Sequence, residues 1–406
     1  MKFANYYHRS SSYTNLGDQI QLLVFDYIYQ QMEIAKEDIV YIEKTDDYDG
    51  EPVILPVNMP LGDYFEHGFV ERFSSNITPV FLGLTLWRDK LSQEDVDYLR
   101  RHEPIGCRDE RTFCIVQAHG IQAYLGGCAT AVLPRRTWKE SSKNGKVFLI
   151  DAPEELKEYM PSEILENSII CTHTLYDTQR ETKEIAIERY RQYAEEASLV
   201  ITSLLHAASP CMAMGIPVIL ARDCVSYRFG WIDKLLHIYT PDEYDKINWN
   251  PAPVAYEQHK QYLLEFIKKR LTGVPCEEEV QAIHDFYMNR DHKEYEVEVL
   301  HPIQKYIDSM WTDPDKAYDY AIWGLTEIAG LIIDYIGQRY KNARLCHVYD
   351  SRRRLRLRGI MAVHPDNIAS HPEETVFVAA HSASEPAKEF FKEIGKMEDT
   401  YASVGT

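Results

Sequence analysis

His206 stands at a position suited to chemistry, in the stretch ITSLLHAASPCMAMGIPVIL (residues 201–220). An apolar run ends just before it, and a small-residue helix that stops at Gly215 and Pro217 begins there. Parallel α/β sheets bind ligands at the carboxyl ends of their strands. The helix start would favour an anion and lower the pKa of the histidine, leaving the imidazole usable as an acid or base near neutrality. A packed core histidine is the alternative.

Two other segments carry candidate ligand-binding groups. His173, in CTHT, follows another apolar run and is expected at the same sheet edge as His206. The turn YTNLGD puts Asn15 and Gly17 before a helix that has Asp18 in its first turn. Free backbone N–H groups there can bind an anion or a hydroxyl. A simple helix cap is the other interpretation of this turn.

Two charged segments allow a functional and a structural interpretation. IGCRDERT contains Arg108 and Asp109, which form either a charged pair in a cleft or part of a solvated helix face. DSRRRLRLRG (residues 350–359) alternates basic residues with leucines and is typical of an exposed edge strand, with a binding patch as the alternative.

Composition limits the classes of partner. The chain has 406 residues and a net charge of −19, which would repel a phosphate backbone and argues against nucleic acid. A small anion is not excluded, because a few arginines in a cleft reverse the local sign. The apolar runs are too short to span a bilayer, and residues 1–15 lack a signal-peptide core.

The cysteines predict a reduced compartment and no cofactor. Eight cysteines are scattered without a CxxC pair, which favours a cytoplasmic location. No His, Cys or acidic grouping has the spacing of metal ligands, so neither a metal nor another cofactor is predicted.

Alternating apolar runs and helical periods predict an α/β fold with parallel sheets and helices on both faces. The predicted organisation is an N-terminal domain over 1–140, a second over 145–275, a connecting segment over 276–317, and a third, smaller domain over 318–406. Each of the three domains is expected to share this alternating β/α organisation.

Six motifs in order over residues 10 to about 270 resemble the polysaccharide pyruvyltransferase family: YTNLGD, IGCRDERT, YLGGCATAVLP, THTLYDT, SLVITSLLHAASPCMAMGIPVIL and SYRFGWIDKLL. The resemblance implies a GT-B-like pair of Rossmann-like domains with a cleft between them. It also implies transfer of a pyruvyl group from phosphoenolpyruvate to two hydroxyls of a sugar, as a ketal, with release of phosphate. That chemistry needs an acid for the donor methylene, cations for its anionic groups and a base for the hydroxyls.

The resemblance also implies roles and partners. His206 and Asp18 are the expected catalytic residues. The expected donor-binding residues are Arg228, Arg222, His173 and Ser203, and the expected acceptor-side residues are Asn15, Gly17, Arg108 and Asp109. The acceptor would be a sugar of a polysaccharide or of its lipid-linked or nucleotide-linked precursor. Peripheral contact with membrane assembly machinery and a homo-oligomer are compatible with this function.

Leu204 departs from the family pattern, which ends this strand with Thr-x-Arg-x-His and uses the arginine for the donor anion. Loss of one charged hydrogen bond would cost roughly 1.5–3 kcal/mol, or tenfold to a hundredfold in affinity. Arg228 or Arg222 could supply a replacement cation. A glycosyltransferase that uses a nucleotide sugar and an inactive glycan-binding family member are the alternatives.

The C-terminal domain resembles the Rossmann-type domains appended to sugar-modifying enzymes. Its candidate dinucleotide turn reads Gly324-Leu-Thr326-Glu-Ile-Ala329, with threonine in place of the second glycine, and Asp350 stands where a ribose-binding acid belongs. A docking or regulatory domain is therefore favoured over NAD binding.

Overall fold

The computed structural model describes residues 2–6, 13–61, 73–86, 91–137, 145–176, 180–223, 225–289, 300–351, 355–396 and 401–403. The described residues before 290 form one compact unit, and those from 300 onward form a second. The strands are β1 Lys2–Tyr6, β2 Tyr13–Asn15, β3 Ile39–Ile42, β4 Val53–Val57, β5 Pro60–Leu61, β6 Ile77–Phe81, β7 Thr85–Leu86, β8 Ile105–Cys107, β9 Ala123–Leu125, β10 Lys146–Ile150, β11 Ser168–Cys171, β12 Thr174–Tyr176, β13 Ala197–Thr202, β14 Val218–Ala221, β15 Ile238–Tyr239, β16 Asp319–Trp323, β17 Arg344–Tyr349, β18 Arg356–Leu357, β19 Ile360–Met361, β20 Thr375–Val378 and β21 Tyr401–Ser403. The helices are α1 Leu16–Gln31, α2 Gln93–Arg100, α3 Glu110–Ala118, α4 Ser162–Glu166, α5 Thr182–Glu196, α6 Leu205–Ala213, α7 Glu257–Thr272, α8 Glu277–Met288, α9 Leu300–Met310, α10 Glu327–Arg339 and α11 His381–Glu393.

The two larger parallel sheets of the first unit have four and five strands. Four strands pair in the order β3-β1-β4-β6, and five pair in the order β11-β10-β13-β14-β15. The apolar runs become strands buried on both faces, as in β13 and β14, because helices cover both sides of such sheets. The predicted α/β class, with a pair of Rossmann-like sheets, is confirmed.

Helix α1 follows from its sequence. The Asn15 side chain caps it by accepting a 2.7 Å hydrogen bond from the Gly17 amide. The apolar residues at helical spacing, Ile20, Val24 and Ile28, are all buried in the main core of the unit. This face holds the start of α1 firmly against the rest of the unit.

A two-stranded antiparallel pairing joins two of the predicted motifs. β2, from YTNLGD, pairs with β12, from THTLYDT, with Asn15 opposite Thr174. The Leu16 amide also donates to the His173 carbonyl oxygen at 2.9 Å. Residues 13–18 and 172–176 are therefore held side by side.

The second unit has its own parallel sheet, in the order β17-β16-β20-β21. In its candidate dinucleotide turn, Asp350 Oδ2 accepts a 3.1 Å hydrogen bond from the Leu325 amide, and the Thr326 hydroxyl donates to the Ala379 carbonyl oxygen. The chain's own side chains thus contact the turn that a pyrophosphate would occupy in a dinucleotide-binding domain. Of the basic segment, Leu357 is buried and Leu355 exposed, and residues 352–354 lie outside the described residues.

The charged stretch after residue 275 contains two helices. α8 packs Ile283 and Tyr287 into the first unit, and α9 packs Ile307 into the core of the second. The domain boundaries given above remain a prediction. No helix among the described residues has the length and apolar character needed to cross a membrane. The cysteines described in the structure, which exclude Cys224, are all free thiols.

Candidate functional site

His206 is the second residue of α6, directly beyond the carboxyl end of β13, as predicted. It is only 8% exposed, and its Nε2 lies 3.8 Å from the Cys128 sulfur. Its carbonyl oxygen accepts a hydrogen bond from the Tyr190 hydroxyl. Both ends of the residue are therefore held in place.

Cys128 belongs to a buried polar network around this histidine. The Asn58 amide nitrogen lies 3.4 Å from the Cys128 sulfur, and the Thr130 hydroxyl lies 3.2 Å from it. Thr130 Oγ1 is also 2.7 Å from the hydroxyl of Ser209 on α6. A fully satisfied buried network of this kind fixes side-chain positions, so the Cys128 loop and the start of α6 are fixed relative to one another.

Gly17 lies directly against His206. A Cβ atom at residue 17 would be 2.9 Å from both His206 Cβ and Asn15 Oδ1. Only glycine leaves enough room for the start of α1 to approach the histidine this closely. The structure therefore brings together the turn at residues 15–18 and His206, which sequence analysis placed on opposite sides of one cleft.

Arg108 is completely buried and forms no direct ion pair with a described residue, although Asp109 acts on it electrostatically. Its Nε donates to the Thr85 hydroxyl and its Nη1 to Gln21 Oε1, both at 2.8 Å, and its Nη2 has no hydrogen-bond partner. Both partners are neutral. A guanidinium stays charged when buried, and a buried charge without a counter-ion is unfavourable unless a ligand supplies one. Arg108 is thus suited to receive an anion.

Asp109 supports Arg108 through Thr85. Its carboxylate caps α3 by accepting from the Thr112 amide at 2.8 Å, and its other oxygen accepts from the Thr85 hydroxyl at 2.9 Å. Burial raises its pKa, although these hydrogen bonds and Arg108 act in the opposite direction. The interpretation of Arg108 and Asp109 as a solvated helix face is wrong, because both residues precede α3 and are buried.

The pKa of His206 lies well below its usual value, mainly because the ring is buried. The charges of Arg108 and Arg228, and His173, lower it further. The imidazole is therefore neutral at physiological pH, and a neutral ring can accept a proton and then donate it as imidazolium. Two arginine charges and an uncharged imidazole form a positive, desolvated environment. Such an environment suits an anionic ligand with a proton to transfer.

His173 is buried among aromatic rings. Its Nε2 lies 3.0 Å from the Tyr193 hydroxyl, its ring stacks on Tyr193, and its Nδ1 has no partner. Burial, with a smaller contribution from Arg189, lowers its pKa to about 3. His173 is therefore a neutral group beside the turn at residues 15–18, and a donor-binding role for it remains a prediction.

His173 makes the stability of the first unit depend on pH. Its folded-state pKa of about 3 lies below the ordinary 6.5, so the unfolded chain binds the extra proton first and stability falls as pH drops through this window. Between pH 7 and pH 5 the loss should be about 2 kcal/mol. Guanidinium unfolding of wild type and His173→Gln at both pH values measures it. An equal loss in the two proteins would show that His173 is not buried as a neutral group.

The remaining predicted residues lie around this centre. The Ser203 hydroxyl donates to the Asp151 carbonyl oxygen, and Arg222 donates to the Ser203 carbonyl oxygen while lying over the Phe229 ring at 4.1 Å. Arg228 is half-buried and acts electrostatically on His206. Asp18 is exposed and acts electrostatically on Tyr190, the residue that holds His206.

Sequence analysis missed Gln21, Asn58, Thr85 and Cys128 as members of this site. Cys128 stood inside a family-like motif, YLGGCATAVLP, but no spacing rule connects it to a histidine 78 positions away. A separate cavity of about 830 Å³, lined by Pro104, Gln122, Arg270 and Cys276 among others, contains none of the predicted site residues.

Comparisons with known proteins agree with the motifs. The family model for polysaccharide pyruvyl transferase matches residues 15–221, just over half of the chain. No curated protein matches the chain significantly. Similar solved structures include a protein of uncharacterised function from Klebsiella pneumoniae, at 13% identity, covering 54% of this chain and 83% of that one, with a TM-score of 0.30. Another is a proposed UDP-N-acetylglucosamine 2-epimerase from Listeria monocytogenes, at 11% identity, covering 67% of this chain and 97% of that one, with a TM-score of 0.35. The matched residues include Asn15, Arg108, Cys128 and His206, and the chain belongs to the polysaccharide pyruvyl transferase family.

Proposed function

We propose that this protein transfers a pyruvyl group from phosphoenolpyruvate to two hydroxyls of a sugar, forming a ketal and releasing phosphate. The sugar belongs to a polysaccharide or to its lipid-linked or nucleotide-linked precursor. The observation that carries the proposal is Arg108, a buried guanidinium whose Nη2 has no hydrogen-bond partner and whose charge acts on His206. Family membership supports the transferase class.

The donor carries a carboxylate and a phosphate, and the positive environment around His206 matches them. Arg108 binds one anionic group through its unpartnered N–H, and Arg228 lies near enough to His206 to add a second charge. The desolvated surroundings strengthen both interactions. These two arginines replace the cation that the family pattern places at residue 204, where Leu204 instead packs against the apolar core.

The proton transfers follow from the charge states. A proton is added to the donor methylene, which becomes the methyl group, and the donor C2 accepts the first sugar oxygen. The bond from C2 to the phosphate oxygen breaks and the second sugar oxygen takes its place, while the two hydroxyl protons balance the new methyl hydrogen and the departing phosphate. Neutral His206, fixed by Tyr190, takes up one of the two hydroxyl protons and delivers it as imidazolium to the donor methylene. Asp18, exposed at the start of α1, serves as base on the acceptor side.

His206→Ala is expected to abolish phosphate release from phosphoenolpyruvate, because it removes the group that moves the proton. General acid–base catalysis contributes about 10²–10⁴-fold in rate, so the loss should be of that order. Phosphate release is measured with a panel of lipid-linked and nucleotide-linked sugar acceptors. His102→Ala, which removes a half-buried histidine packed against the Tyr98 ring, is the matched control and should stay active. Wild-type turnover by His206→Ala would rule out this role.

A binding measurement separates the donor classes. Calorimetric titration of wild type with phosphoenolpyruvate, UDP and GDP needs no acceptor. Its result is therefore informative even if the panel lacks the natural acceptor sugar. Saturable binding of phosphoenolpyruvate supports the proposal. Binding of UDP or GDP alone would replace it with a nucleotide-sugar glycosyltransferase. If Leu204→Arg binds phosphoenolpyruvate and wild type does not, the chain has lost the family's donor.

A further inference from the structure

Two histidines and a glutamate converge in the second unit, although no spacing rule predicted a metal site there. His347 lies on β17, His371 ends the helical turn at residues 365–370, and Glu374 directly precedes β20. One ligand atom from each residue lies within 4.8 Å of the other two. The rings of His347 and His371 stack with centroids 4.0 Å apart, and His347 Nδ1 lies 2.7 Å from Glu374 Oε1.

The carboxylate at this cluster is incompletely satisfied. Glu374 is 4% exposed, and its Oε2 is buried without a hydrogen-bond partner. The hydroxyl of Tyr349, two residues beyond His347 on the same strand, is also buried without a partner. Buried polar oxygens are almost always paired in folded proteins, so each exception requires a physical reason. For the unpartnered oxygen of Glu374, a cation bound between the histidines and this carboxylate would be such a reason.

The backbone holds the cluster in position. The Glu374 amide donates to the His371 carbonyl oxygen at 3.3 Å, and Lys396 donates to the carbonyl oxygens of Pro372 and Glu374. β17 and β20 both pair with β16, which sets the separation of His347 from Glu374. His371 is partly exposed, so an ion can reach the cluster from solvent and the ring can adjust on binding.

We propose that His347, His371 and Glu374 bind a divalent transition-metal ion of the zinc type. Two imidazoles and one carboxylate are the ligand set of many three-ligand zinc sites, in which water takes the fourth position. With ligand bonds of about 2.0–2.1 Å, tetrahedral ligand atoms lie about 3.4 Å apart, so the widest separation must shorten by about 1.4 Å. Rotation of the His371 ring can provide this change.

The ion would link two parts of the second unit: β17, which carries His347, and the segment at residues 365–374, which carries His371 and Glu374. It would therefore stabilise the folded form of this unit, because unfolded chains lack the preformed site. The site lies where β20 begins, whereas the candidate dinucleotide turn follows the carboxyl end of β16. The proposed metal site is thus separate from the candidate dinucleotide turn.

The test uses full-length protein stripped with a chelator, titrated with Zn²⁺ by calorimetry and with Co²⁺ by visible absorption. A Cys114→Ser background removes the exposed thiol, which would otherwise bind these ions. We expect one ion bound per chain. The X-ray absorption spectrum of the bound metal should show only nitrogen and oxygen ligands. His347→Ala and His371→Ala should each weaken binding by on the order of a hundredfold, since even outer-shell changes cost 10–100-fold.

The matched control is His237→Ala, which removes another histidine paired with a glutamate, Glu243, at 3.2 Å. It should bind Zn²⁺ as the parent protein does. Circular dichroism checks whether His347→Ala folds. If it does not, His371→Ala, which changes a partly exposed residue, provides the test of the metal site. Unchanged Zn²⁺ affinity in His371→Ala, sulfur in the metal's ligand shell, or no tight binding by the parent protein would each overturn the proposal.

Discussion

Replacing Arg108 with methionine is expected to weaken phosphoenolpyruvate binding by about tenfold to a hundredfold. A hydrogen bond to a charged group contributes roughly 1.5–3 kcal/mol, which sets the loss of affinity. Methionine fills much of the same space, but Gln21 and Thr85 lose one partner each, and buried Asp109 loses a positive charge that favours its ionised form. A moderate loss of stability is therefore expected together with the loss of affinity.

Calorimetric titration with phosphoenolpyruvate and guanidinium unfolding provide the two measurements. Arg270→Met is the matched control, because Arg270 is a partly buried arginine of the same unit that donates to the Pro104 carbonyl oxygen. Its affinity for phosphoenolpyruvate should equal that of wild type. Full affinity in Arg108→Met would mean that another group holds the donor, and Arg228 would be the next to replace. A large loss of stability with unchanged affinity would make Arg108 a structural residue.

Gly17→Ala is expected to lower turnover by on the order of a hundredfold, because a displacement of about 1 Å at a catalytic group has that effect. The added Cβ would lie 2.9 Å from His206 Cβ, a contact that real Cβ atoms essentially never make. His206 Cβ is fixed by the backbone of α6, so the new methyl group cannot be avoided by rotating a side chain. Either the start of α1 or the histidine must move.

Phosphate release measures the Gly17→Ala effect once an active acceptor is known, and phosphoenolpyruvate titration measures it before that. Gly337→Ala is the matched control, since Gly337 lies inside α10 and an added Cβ there meets nothing within 4 Å. Alanine should stabilise that helix by about 0.4–1 kcal/mol and leave turnover unchanged. Wild-type turnover in Gly17→Ala would show that the contact between α1 and His206 is not part of the reacting geometry.

Several local features were predictable because their causes lie within a few residues. The apolar spacing of Ile20, Val24 and Ile28 requires one buried helical face, and Asn15 caps the helix that carries them. Ser92 likewise starts α2, with a capping box completed by Asp95. The position of His206 after a strand was predictable for the same reason, and so was the α/β class.

The composition of the site was only partly predictable. Arg108 was recognised as a candidate on the acceptor side, but its burial depends on Thr85 and Gln21, which come from other parts of the chain. Cys128 carried no local signal, and its contact with His206 exists only because the loop after β9 packs on α6. Hydrogen bonds between distant segments leave no periodic pattern in a sequence.

By itself, the sequence determined the alternation of strands and helices, the family motifs and the place of His206 at a strand end. Only the tertiary structure decided that Arg108 is buried with an unpartnered Nη2, that Gly17 lies against His206, and that His347 meets His371 and Glu374. The physical reason is that helix and strand formation depends on neighbours along the chain. The charge balance and close contacts of a site depend on which segments the sheets bring together.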